Sequence, residues 1–164
     1  MKILGIDPGY GTVGFGIIES YGGNKLMPIE YGVIQTPKDD PLPKRLKCIA
    51  DAFGFIIDKY QPHAVAIEEL FFQNNQKTAI AVAEARGAIL LKVYEKCNNL
   101  YEYTPMQIKQ ALTGYGRAEK HQIQYMVKLL LKLDSIPKPD DAADALAVAI
   151  THAQVSKTSA LFGI

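Results

Sequence analysis

Carboxylates at the ends of apolar strands are the residues in this sequence best placed to do chemistry. The first is Asp7, which the run KILGID delivers into a Pro8-Gly9 turn. Ile3, Leu4 and Ile6 ahead of it are β-formers without polar relief, as in a strand buried on both faces. The device recurs in HAVAIEE, residues 63–69, an apolar strand ending in Glu68 and Glu69. Successive strand residues face opposite sides of a sheet, so one of these glutamates can share a site with Asp7; the pattern leaves open which. A third source is DDAADALAVAIT, residues 140–151, where Asp141 and Asp144 stand three apart and share a helix face.

Each acid also has a structural role open to it. Asp7 could cap its own turn, and acids at a helix N-terminus satisfy orphan amides, the role expected of Asp140. Those roles do not explain two strand-end carboxylates and an aspartate pair on a small-residue helix that must pack on the same sheet. Four carboxylates gathered at one sheet end repel one another unless cations lie between them. Oxygen ligands favour Mg²⁺ or Mn²⁺, and two ions about 3.5–4 Å apart stabilise the attacking and leaving oxygens of phosphodiester cleavage. No Ser/His/Asp or Cys/His set competes with that chemistry.

The elements that must position these acids follow from pattern. After the Pro-Gly turn, residues 12–19 resume a β pattern, so the first two strands pair antiparallel, and glycines at 9, 11, 14 and 16 allow close approach. Residues 25–36 predict a third strand. A helix over 42–60 carries Leu46, Ile49, Phe53, Ile56 and Ile57 at helical spacing. The fourth strand is 63–69, a long helix spans 78–97, and a fifth strand spans 100–104. Helices over 106–112, 120–133 and 140–151 complete the chain. One domain over residues 1–155 is expected, with 156–164 as a flexible tail. Gly87, set among alanines, fits close approach of another helix, within the chain or across a dimer.

Composition narrows the partners. A formal charge of +1 gives no global basic footprint, so any nucleic-acid surface must be local. Lys109, Arg117, Lys120, Lys128, Lys132 and Lys138 stand against Glu119 and Asp134 in one stretch, either a solvated face or such a surface. In LFFQNNQ, residues 70–76, Phe71 and Phe72 either seal the sheet edge or offer a base-stacking platform. Cys48 and Cys97 lack metal-ligand spacing and are expected as buried thiols of a reducing compartment. The opening residues do not form a leader, and no stretch stays uncharged long enough to cross a bilayer, so a soluble cytoplasmic protein is expected.

Five segments then carry a resemblance: GIDPG with Asp7, AIEELF with Glu68, AEARG, IKQALTGYGRAEKHQIQYMV and DDAADALAVAITH. In order and spacing, from Lys2 to about Val155, they resemble the RuvC family of Holliday junction resolvases. The resemblance implies an α/β, RNase H-like fold with a five-stranded mixed sheet flanked by helices. It implies a homodimer that nicks opposed strands of four-way junction DNA symmetrically, in homologous recombination and repair. By the same resemblance the catalytic and metal-binding residues are Asp7, Glu68, Asp141 and Asp144, holding Mg²⁺ or in its place Mn²⁺, two ions per site. Phe71 would stack on a base near the cut and Lys109 and Lys120 would meet phosphates, with Arg86 a further candidate DNA contact. RuvA and RuvB, the branch-migration machinery, are the implied partners. One departure is that Val13, not threonine, directly precedes Gly14. Two other classes share some of these features. A nucleotide-binding ATPase or sugar-kinase lobe also opens on GID and a glycine-rich turn, but needs a second lobe for which one domain leaves no room. A non-catalytic junction-binding module would not need intact acids.

Overall fold

A computed structural model describes residues 1–70 and 76–162, so Phe71 and Phe72 lie outside the described residues. Three strands come first: β1 (Lys2–Asp7), β2 (Thr12–Ser20) and β3 (Leu26–Gln35). They are followed by α1 (Leu42–Tyr60), β4 (Ala64–Glu68), α2 (Gln76–Lys96), β5 (Leu100–Tyr103), α3 (Pro105–Thr113), α4 (Lys120–Leu130) and α5 (Asp140–Phe162). The strands form one mixed sheet in the order β3-β2-β1-β4-β5. β1–β2 and β2–β3 are antiparallel, whereas β1–β4 and β4–β5 are parallel.

The central strand is the one without polar relief. Ile3, Leu4 and Ile6 of β1 are all fully buried, because the sheet is covered on both faces. Leu4, Ile6, Val65 and Ile67 point to one side and pack with Ile49, Phe53, Ile89 and Val93 of α1 and α2. Ile3 and Ala66 point to the other side, where Leu146, Ala149 and Ile150 of α5 cover them together with α3 and α4.

α5 reaches the sheet closely because the strands beneath it carry glycine. Gly5 of β1 pairs with Gly16 of β2, and Gly14 pairs with Asp7. A Cβ on Gly5 would lie 2.7 Å from the Ala149 nitrogen, one on Gly16 would lie 2.7 Å from Leu146 Cγ, and one on Gly14 would collide with the Asp141 carbonyl. The helix answers with alanine at 142, 143, 145, 147 and 149, each essentially fully buried. Close backbone approach at these three glycines is therefore a requirement of the architecture.

Three local expectations change. α4 ends at Leu130, short of residue 133, and the chain turns through Lys132 with φ of 54° while Leu131 stays buried. α5 continues past residue 151 to Phe162, with His152 and Ala153 still buried in the same packing. Cys48 is exposed, since Arg45 and Ile49 of α1 take the inward positions, and Cys97 is half-buried with its Sγ 3.8 Å from the Pro62 carbonyl oxygen.

Candidate active site

Asp7 ends β1 and Glu68 ends β4. These strands are parallel neighbours with Ile6 opposite Ile67, which sets the next two residues side by side on one face. That face is the α5 side, because Gly5 lies against α5 and Ala66 lies in the same cluster, each two residues earlier. Glu69 alternates to the opposite face, its N–H donating to the Tyr103 carbonyl oxygen at 2.8 Å. Asp141 sits over Gly14, the hairpin partner of Asp7, and Asp144 follows one turn on. Carboxylate oxygens of Asp7, Asp141 and Asp144 thereby come within 4.8 Å of one another.

The cost of this assembly shows in its proton affinities. The Asp7 carboxyl is pushed up to about 9, first by burial and then by the charges of Glu68, Asp144 and Asp141. A hydrogen bond between Asp7 and Glu68 leaves the proton on Asp7 and so opposes the rise at Glu68. Burial still raises Glu68 above the usual carboxylate range, with Lys109 and Lys120 pulling against it. Asp144 is likewise raised by burial and eased by Lys120.

Lys120, at the first position of α4, stands 3.4 Å from Asp140 Oδ2 and 3.6 Å from Asp144 Oδ2. Burial acts to lower its pKa, but Asp144 and Asp140 outweigh that and raise it. Asp140 also pairs with Lys138 at 3.6 Å. A cleft of about 200 Å³ opens beside the acids, lined by Glu68, Asp144, Lys109 and Lys120 over Pro105, Ile108, Ile123 and Ala147. Of the lining pair Asp144 and Lys120, Asp144 is the more buried, its side chain 27% exposed against 57% for Lys120.

The three converging donors are all carboxylate oxygens, without sulfur or imidazole, which is the donor set of a hard divalent cation. Burial first, and then the crowding of like charges, raises the Asp7 pKa, and a bound cation would relieve that crowding. The acid cluster can therefore hold a metal ion, with Asp7, Asp141 and Asp144 as its nearest ligands and Glu68 adjoining.

Lys109 and Lys120, more than ten residues apart in sequence, are brought to the same cleft. Arg86 is not among its lining residues. It lies half-buried on α2, with Nη2 3.0 Å from Glu102 Oε2 of β5, although among the described residues neither Nη2 nor Nε finds an aligned hydrogen-bond acceptor. Phe71 falls outside the described residues. Tyr115, which sequence reasoning passed over, stands exposed in the turn between the two cleft lysines; its setting between two glycines was the available signal.

Acids at the ends of adjoining parallel strands, met by acids on a helix laid across the same sheet, define the RNase H-like nucleases. The crossover junction endodeoxyribonuclease RuvC family model matches residues 3–152. The RuvC protein of Brevibacillus brevis is 54% identical over 94% of this chain and 92% of its own length. That of Petrotoga mobilis is 57% identical over 93% of each chain. Thermus thermophilus RuvC, solved in complex with Holliday junction substrate, superposes with a TM-score of 0.92 at 36% identity, covering 97% of this chain and 96% of that one. The chain belongs to the RuvC family of crossover junction endodeoxyribonucleases.

Proposed function

We propose that this chain is a Mg²⁺-dependent endonuclease that resolves four-way DNA junctions, with Asp7, Glu68, Asp141 and Asp144 as its hydrolytic centre. The observation that carries the reading is the approach of the Asp7, Asp141 and Asp144 oxygens to within 4.8 Å beside Glu68 and two lysines. The four carboxylates would hold two Mg²⁺ ions, or Mn²⁺ in their place, which would supply a nucleophilic water at neutral pH and neutralise charge on the phosphoryl oxygens. The protein's part is to hold the four carboxylates and to accept the scissile strand. Asp7 must release its proton as the cation binds, so metal affinity rises with pH. Lys109 and Lys120 meet the phosphates that flank the cut, and Lys120 opposes the rise that burial imposes on Asp144.

Paired symmetric cuts need two sites, and a homodimer supplies them. α2 supports this arrangement: Ile80, Leu91 and Tyr94 are 58%, 65% and 65% exposed along it. Gly87 lies in the same helix with nothing among the described residues within 4 Å of an added Cβ. Recognition is by junction shape through phosphate contacts, with Phe71 adding a stacked base near the cut. Arg86 would join those contacts only by leaving Glu102. The partners that accompany this activity are the branch-migration proteins RuvA and RuvB. A cytoplasmic setting agrees with two unpaired cysteines; among the described residues no helix is long and apolar enough to cross a membrane.

The test is cleavage of a synthetic four-way junction beside linear duplex and single strands, with and without Mg²⁺, by the native chain and by Asp141→Asn. Metal-dependent paired nicks confined to the junction and lost in the variant are expected. Equal cleavage of all three substrates, or binding without cleavage, overturns the reading.

A further inference from the structure

The turn between α3 and α4, residues 114–119, joins the two lysines of the cleft, since Lys109 precedes it and Lys120 follows it. Between its glycines stands Tyr115, 57% exposed, and beside it Met106 is 63% exposed. The backbone beneath Tyr115 is fixed from both sides. Its N–H donates to Thr113 Oγ1 at 3.1 Å, the Thr113 hydroxyl donates to the Lys109 carbonyl at 2.7 Å, and Ala118 N–H donates to the Tyr115 carbonyl at 3.2 Å. Gly114 makes the bend with φ of 74°, a conformation that favours glycine. The turn then folds back onto α3, where a Cβ on Gly116 would stand 3.1 Å from Met106 Cγ and 3.9 Å from Gln110 Oε1. Pro105 and Lys109, the sequence neighbours of those two residues, line the cleft. A fixed turn thus holds an aromatic ring and the exposed Arg117 on the segment that joins the two cleft lysines.

We propose that Tyr115 stacks on a nucleobase of the DNA strand leaving the cleft and that Arg117 meets the adjoining phosphate, making the α3–α4 turn a second DNA contact. This rests on the junction-nuclease reading above. Continuity with Lys109 and Lys120 and the excess of cations over the single Glu119 match a phosphate backbone. An aromatic on a pre-ordered backbone loses little conformational freedom on stacking, and every base offers a π-face. The surrounding Gln107 and Gln110 leave no contiguous apolar patch of the kind a protein partner would cover.

The test uses the Asp141→Asn chain, so that binding is read without cutting. Tyr115→Ala is expected to weaken binding of a synthetic four-way junction about 5- to 100-fold, while Tyr115→Phe stays within about twofold. Because the ring is exposed, the melting temperature of Tyr115→Ala should match that of its parent. Junctions carrying single abasic positions near the crossover locate the stacked base: one or two should bind more weakly to the parent and show no such penalty with Tyr115→Ala. Unchanged affinity in Tyr115→Ala, failure of Tyr115→Phe to rescue, or equal abasic penalties in both chains overturns the proposal. A parent that does not prefer the four-way junction to linear duplex overturns the junction reading instead.

Discussion

At Asp7 a carboxyl is held at the end of a buried strand among three other acids, and its pKa is pushed up to about 9. An aspartate in the unfolded chain titrates near 3.9, so between roughly pH 4 and 9 the folded state binds the extra proton. Stability from this group is full below that window and is lost as pH rises through it. Asp7→Asn removes the penalty: in metal-free buffer at pH 8 it should raise stability by about 1–3 kcal/mol in denaturant unfolding, while abolishing cleavage. His152 has the opposite sign. Burial lowers its pKa, so its contribution is intact above about pH 6.5 and falls as the unfolded chain takes up protons below that. Its Nδ1 lies 2.8 Å from the Tyr103 hydroxyl, and Tyr103→Phe should cost about 1 kcal/mol at pH 8 by leaving that buried nitrogen without its hydrogen-bond partner. In the cleft, Lys120→Ala should weaken junction binding and lower the slope of log affinity against log salt by about 1.

The elements show what pattern could and could not reveal. The strand-end placement of Asp7 and Glu68 was legible, because an apolar run that stops at an acid is a local signal. The choice between Glu68 and Glu69 was not, since it depends on the register Ile6–Ile67, a pairing between distant segments. Likewise Gly14 and Gly16 read as close-approach positions, but nothing near them in sequence names α5 as what approaches. That contact is the sharper test of the architecture. Gly14→Ala drives a methyl into the Asp141 carbonyl and must lift the first turn of α5. It should cost about 1–3 kcal/mol in stability and also weaken Mg²⁺-induced thermal stabilisation, a loss that simple destabilisation would not produce. Gly87→Ala meets open space among the described residues on a helix and should stabilise an isolated protomer by up to about 1 kcal/mol.

For the whole molecule, element order and the antiparallel first hairpin followed from alternating apolar runs and turn residues, which are local properties, whereas the mixed sheet came only from the family resemblance. The ends of α4 and α5 did not. Leu131 stays buried although its helix has stopped, and residues beyond 151 continue as helix because His152 and Ala153 remain packed in the core. Surface assignment was weakest: Cys48, expected inside, is outside, because one-position phase on α1 is decided by which neighbours face the sheet. Association belongs to this scale too. Leu91→Glu with Tyr94→Glu places charges on the exposed α2 stripe and should yield monomers by light scattering at micromolar concentration. Such monomers should lose paired nicks while keeping the melting temperature of the protomer, since both side chains are already in solvent.

The glycine floor under α5 also has a meaning in time. Asp7 and Glu68 leave the ribosome early, but Asp141 and Asp144 belong to α5, and that helix finds its seat only on strands made long before. A chain interrupted ahead of residue 140 carries half of the acids and a bare sheet face that alanines would have covered. On the proposed assignment of the four acids, cutting waits until α5 has docked, so such a chain should show no metal-dependent cleavage of a four-way junction.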